Sequence, residues 1–229
     1  MLLDALRWAK KHLVPNAGYQ QIWFGIASGL RILASEDNLR MRLGVYEWPL
    51  VRHVRRLSAG ARVAYDLGSA DGYYVLAFCR LLGPAARVVS FEADERWVAG
   101  LHTLLAVNGL SERVVIVQGL VGDRDEGQTL TVDRVVAERG LPAPDLVKLD
   151  IEGAEFRALR GMQATLRRSS PALVIEVHSA EVERDCTRYL ADLGYRVEVV
   201  EGGPFARLLP ETRPIGHNRW LVAEQGRSR

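Results

Sequence analysis

The sequence predicts an α/β fold in which a mostly parallel sheet carries helices on both faces. From Arg62 onward, short β-branched runs alternate with stretches of helical periodicity, as in repeated strand–helix–strand units. The runs VVIV and LVIEV are apolar almost throughout, as strands covered on both faces must be. Strands are expected at Val63–Leu67, Arg87–Phe91, Val114–Gln118, Asp145–Asp150 and Ala172–His178, with two more near Arg196–Val200 and Arg219–Val222. Helices are expected at Tyr73–Leu82, Glu95–Asn108, Val132–Arg139, Ala154–Arg168 and Ala180–Leu193. Asn108-Gly109-Leu110 reads as a helix C-cap and turn. Residues 1–61 form a helical cap or lid segment in this reading, 62–224 the main domain and 225–229 a loose tail.

At 229 residues, 48% apolar and 25% charged, the chain has the size and composition of one folded domain with a small appendage. A net charge of +2 excludes a dedicated nucleic-acid binder. Residues 1–62 carry ten Lys or Arg against four Asp or Glu, a basic front that suits docking on a more acidic body. The most apolar stretch, Ile22–Ala34, is thirteen residues long and contains Arg31, short of the roughly 20 that cross a membrane. The opening MLLDALRWAKKHLV is too charged for a signal peptide. It reads as an amphipathic helix packed on its own domain, with weak contact to a membrane surface as the alternative. Cys79 and Cys186 read as reduced thiols, placing the protein in the cytoplasm.

The first strand runs into Tyr65-Asp66-Leu67-Gly68-Ser69-Ala70-Asp71-Gly72-Tyr73. Gly68 permits a tight turn beside a ligand, and Gly72 opens the next helix, whose first N–H groups can hold an anion or carboxylate. Glu92 follows Gly72 by twenty residues, at the end of the second strand. A carboxylate there can accept both hydroxyl hydrogens of a ribose. The loop lacks Gly-x-Gly-x-x-Gly, and Asp66 and Asp71 would repel a pyrophosphate. They suit a ligand bearing an ammonium and a sulfonium, as S-adenosylmethionine (SAM) does.

Alternation places a second group. Lys148 and Asp150 share one face of the fourth strand, about 7 Å apart along it, and Glu176 and His178 share one face of the fifth. In a doubly wound order these strands are neighbours, so the four ionisable groups meet at the ligand-binding rim. A parallel-sheet interior tolerates little charge, so such groups are paired or open to a cleft. At that rim Asp150 or a neutral His178 could act as a general base, and Lys148 could tune a carboxylate. Glu152 and Glu155 serve either the acceptor side or the cap of the following helix. Asp150, Glu152 and His178 also offer oxygen and nitrogen ligands, but without tight ligand spacing no divalent metal is expected.

The segments YDLGSADGYY, SFEADERW, LLAVNGLSERVVIVQGLVGD, DLVKLDIEGAE and PALVIEVHS together resemble the FkbM-type SAM-dependent methyltransferases, over about residues 42–180 and including RLGVYEWPL. The resemblance implies a Rossmann-like class I methyltransferase fold with a seven-stranded sheet whose last strand is antiparallel. It implies SAM as cofactor, with contacts from Glu47, Asp66, Gly68, Ser69, Ala70, Asp71, Gly72, Tyr73, Glu92 and Ala93. Asp71 stands where the family usually has Asn. The implied reaction is methyl transfer to a hydroxyl of a sugar, glycolipid or other small metabolite. Asp150, His178 and Lys148 are then the catalytic candidates, with Glu152, Glu155 and Glu176 on the acceptor side. The stretch Gly25 to Arg31 is expected to wall the acceptor pocket, and Trp48 and Trp97 to pack rather than stack. Two other readings are a non-catalytic scaffold subunit with the same fold and an NAD(P)-dependent oxidoreductase.

Overall fold

A computed structural model describes residues 18–35, 38–202, 217 and 219–226. The amphipathic opening stretch and residues 227–229 lie outside these residues. All seven expected strands form: β3 Val63–Leu67, β4 Arg87–Glu92, β5 Val114–Gln118, β8 Leu146–Leu149, β9 Ala172–Val177, β10 Tyr195–Glu201 and β11 Arg219–Gln225. They build one sheet in the order β5-β4-β3-β8-β9-β11-β10. Every pairing is parallel except those of β11, which runs antiparallel to both β9 and β10. The sheet is therefore mixed, as the resemblance implied.

Two further pieces precede the sheet and one interrupts it. Strands β1 Tyr19–Gln21 and β2 Arg31–Leu33 form an antiparallel hairpin, and β6 Leu120–Val121 pairs with β7 Thr129–Leu130 beside the end of β5. Helices α1 Leu39–Arg42 and α2 Trp48–Ser58 complete the front. The front segment, expected as a helical cap, carries the β1–β2 strand pair as well as helices. The hairpin forms because β2 finds a partner outside itself: the Asn108 side chain accepts from the Arg31 N–H at 2.7 Å and donates to its carbonyl at 2.8 Å.

Around the sheet lie α3 Tyr73–Leu81, α4 Glu95–Asn108, α5 Val132–Arg139, α6 Glu155–Gly161, α7 Gln163–Ser169 and α8 Ala180–Asp192. The single helix expected at Ala154–Arg168 is two, because tertiary contacts bend the chain at Met162. Gly161 lies so close to Gly122 that a Cβ would overlap the Gly122 carbonyl oxygen. The Asp133 carboxylate then receives the N–H groups of Ala164 and Thr165, at 2.7 and 2.8 Å, capping α7 from α5. At the other end of the chain β11 runs on to Gln225. There the side chain accepts from Ser170 Oγ at 2.8 Å and donates to the Leu193 carbonyl at 2.7 Å.

Alternation divides the core into two layers. Ala64, Val88, Leu146 and Val174 pack under α2, α3 and α4. Tyr65, Leu67, Val89, Val147 and Ile175 pack under α5 to α8. Among the described residues, no helix is long and apolar enough to cross a membrane.

Candidate active site

The strand order turns back between β3 and β8, so a crevice opens at their carboxyl ends. Gly68 stands at its base with φ 87°, and a Cβ there would overlap the Asp150 carbonyl oxygen. No other residue fits this contact. Gly72 begins α3 at φ 82°, where a Cβ would run into the Leu101 and Leu104 side chains. Between them Ala70 holds a left-handed φ of 41°, a strained conformation for a residue with a Cβ.

Glu92 organises this loop. One carboxylate oxygen accepts from Ala70 N at 2.8 Å, and the other from Ala93 N and Asp94 N at 2.8 and 2.9 Å. It is 9% exposed, so it is a fixed acceptor inside the crevice and not an exposed helix-start acid. Ser69, expected to touch the cofactor, turns its hydroxyl inward, donating to the Asp66 carbonyl at 3.0 Å and accepting from Ser90 Oγ at 2.7 Å. Asp71 accepts from Tyr73 N at 3.2 Å, a helix-start role that an asparagine oxygen performs equally well. The Tyr73 ring is buried against Tyr46, with centroids 5.3 Å apart.

Asp66 is buried, and its Oδ2 has no hydrogen-bond partner among the described residues. Burial raises its carboxyl to about 8, and the nearby Lys148 ammonium only partly opposes this. An orphaned carboxyl oxygen beside a glycine cradle and the fixed Glu92 carboxylate fits a ligand with a ribose at one end and a cation at the other, whose charge would draw the Asp66 carboxyl back to its ionised form.

The second group is assembled as alternation predicts. Lys148 Nζ is fully buried, 3.4 Å from Asp150 Oδ2, 3.9 Å from Glu47 and 4.0 Å from Glu176, and 4.9 Å above the Tyr74 ring. Burial disfavours its charge, but Asp150, Glu47, Glu176 and Asp66 outweigh this and raise the ammonium above its ordinary value. Glu176 is pushed up to about 10 by burial and by the charges of Glu47 and Asp150. It is therefore a neutral acid at pH 7, hydrogen-bonded to Asp150. Burial opposes the ionisation of Asp150, but Lys148, His178 and the hydrogen bond from Glu176 hold it below the usual carboxylate range.

His178 follows β9. Its Nδ1 lies 2.9 Å from Glu155, while its Nε2 is 3.6 Å from Asp150 and 3.4 Å from Glu152. The Glu155 hydrogen bond raises the imidazole above its ordinary value against the opposing effect of burial. Glu152 is exposed at the rim with a left-handed φ of 54°.

Glu47, expected over the cofactor, is buried and accepts the Tyr74 hydroxyl at 2.6 Å, so it joins the lysine cluster. Glu155 and Glu176 are buried beneath the rim instead of lining it. In the stretch Gly25 to Arg31, Arg31 is held by Asn108 at the end of α4 and the Ser28 carbonyl by Arg80 of α3, while Gly25 packs closely on Gly44. Trp48 and Trp97 are about half exposed. Tyr74 was not foreseen, since its only sequence signal is a second tyrosine at a helix start.

The mixed seven-stranded sheet and the crevice at its switch point define the Rossmann-like class I methyltransferase fold. The FkbM resemblance read from the sequence is shown as well: residues 119–197 match the profile described as the Methyltransferase FkbM domain. The hexuronic acid methyltransferase AglP of Haloferax volcanii is 30% identical over 74 residues, 32% of this chain and 30% of that protein. The chain thus spans under a third of that curated relative. The crystal structure of methyltransferase FkbM from Methylobacillus flagellatus superposes with a TM-score of 0.58 at 18% identity, covering 71% of this chain and 43% of that one. An O-methyltransferase from Bacillus cereus, solved with SAH, gives 0.57 at 16% identity, covering 76% and 81%.

Proposed function

We propose that this chain is a SAM-dependent methyltransferase acting on a hydroxyl oxygen of a sugar, glycolipid or other small metabolite. The observation that carries the reading is the flanking of one glycine turn by two unlike sites. On one side stands the backbone-held Glu92 carboxylate, and on the other the Lys148, Asp150 and His178 cluster. SAM fits the first side: Glu92 takes the ribose hydroxyls and Asp66 faces the cationic end. Bound there, SAM supplies an electrophilic methyl group. The shared segment with a protein named for hexuronic acid favours a sugar acceptor.

The chain's own task is to orient the acceptor and take its proton. His178 Nε2 is the proton acceptor, since its Nδ1 is committed to Glu155 and its basicity is raised. Asp150, kept ionised by Lys148, stabilises the resulting imidazolium. Lys148 itself is buried under Asp150, so it tunes this carboxylate rather than touching the acceptor.

Asp150, Glu176 and His178 bring three ligand atoms within 4.8 Å of one another. Lys148 already supplies positive charge to that group, and the reading assigns it no metal. Turnover is expected to survive a chelator, and a loss restored by magnesium would overturn this assignment. The central test is SAM titration followed by methyl-transfer assays on hydroxylated acceptors. His178→Ala is expected to lower kcat by about 10²–10⁴-fold with SAM affinity retained. An unchanged kcat removes His178 from the reaction, and absence of SAM binding by the intact protein removes the proposal.

A further inference from the structure

We propose that Glu155 is a positioning residue that fixes the tautomer and basicity of His178, keeping the proton on Nδ1 and the Nε2 lone pair toward the acceptor. The inference rests on the methyltransferase reading above and adds to it a residue that touches neither substrate.

Glu155 is fully buried at the start of α6, and its Oε1 lies 2.9 Å from His178 Nδ1. The same oxygen accepts from Gly153 N at 2.9 Å and lies 3.4 Å from Ile151 N. Two backbone donors thus fix the carboxylate at the loop leaving β8. An acceptor held in this way requires the ring to present N–H at Nδ1. The opposite nitrogen then faces the crevice, beside Asp150 from the end of β8 and Glu152 from the loop that follows.

Helix capping alone does not account for this arrangement. A Ser or Asp at the surface would cap α6 with less desolvation. Here Oε2 is buried without a hydrogen-bond partner among the described residues, a cost of the kind found where a carboxylate serves something other than stability. The ring also closes a circuit across 23 residues of sequence, joining the ends of β8 and β9. Glu155 and the crevice-facing side of the ring therefore lie at different nitrogens of one imidazole, as proton transfer through a fixed tautomer requires.

The test is nitrogen NMR of the histidine rings in the full chain, with His178 assigned by its loss in His178→Ala. Wild type should titrate as the Nε2-bare tautomer. Glu155→Gln retains an oxygen for Gly153 and for Nδ1–H but removes the charge. Its His178 midpoint should fall by about one pH unit or more, and the acidic limb of kcat should move with it while the KM for SAM stays put. Glu155→Met should additionally mix the two tautomers. An unmoved midpoint with an unmoved kcat limb overturns the proposal, and should the Met variant not fold, the Gln variant decides alone. A wild-type chain without methyl transfer to any acceptor would defeat the methyltransferase reading, whereas the NMR midpoint would still decide what Glu155 does to the ring.

Discussion

At the scale of single residues, the site is governed by charges removed from water. Lys148 has three carboxyl groups within 4.0 Å and no exposure to speak of. Replacing it with Met leaves Glu47, Asp150 and Glu176 crowded together without a cation. Lys148→Met should therefore cost about 3–5 kcal/mol of stability, read by denaturant unfolding. Glu92 is held by three backbone N–H groups, two on Oε1 and one on Oε2, and keeps acceptor capacity on Oε2 for a ligand. Glu92→Gln should weaken SAM binding by about 1–3 kcal/mol in calorimetry. Unchanged affinity would take the ribose off this carboxylate.

Elements matter where they touch. The loop after β3 and the end of β8 meet at Gly68 and Asp150, so Gly68→Ala must move one of them and strain a φ of 87°. The expected loss is about 1–3 kcal/mol of stability, together with SAM affinity. Retained binding would show that the loop can shift without consequence. The same contact explains what the sequence could and could not reveal. The strands of the main sheet were legible because β-branched runs between turns have one plausible use. Lys148, Asp150, Glu176 and His178 were legible because charges at alternate positions of apolar strands must gather somewhere. The break at Met162 depends on Gly122 and Asp133, and the β1–β2 hairpin on Asn108. Such partners lie tens of residues away, and no local pattern announces them. Glu155 looked equally like a cap for the same reason, because its ring partner is on another strand.

For the whole molecule, the buried acids set how stability responds to pH. Asp66 and Glu176 have folded values of about 8 and about 10, above their ordinary ones. The folded state therefore binds more protons than the unfolded state, and stability falls as pH rises. His178, raised by the Glu155 hydrogen bond, contributes stability below its ordinary value that is likewise lost as pH rises through its folded value, whereas the contribution of Lys148 is complete up to the ordinary lysine value and is lost only above it. Asp150, held low, works in the opposite sense only at acid pH. Tm should decline from pH 6 to pH 10, and Glu176→Gln, which resembles the protonated acid, should flatten the decline. A Tm that rises with pH would contradict the protonated state assigned to Glu176.

Glu47 has a consequence for how this chain divides. It belongs to the front segment, yet its carboxylate ends inside the sheet domain, on Tyr74 and near Lys148. A protein beginning at residue 62 would keep every strand of the main sheet and lose one of the anions around its buried lysine. The front segment thus acts as a stopper on the buried charge cluster. The smallest autonomous unit of this fold starts before the first strand of its main sheet, and engineering that swaps front segments between relatives must carry this glutamate across.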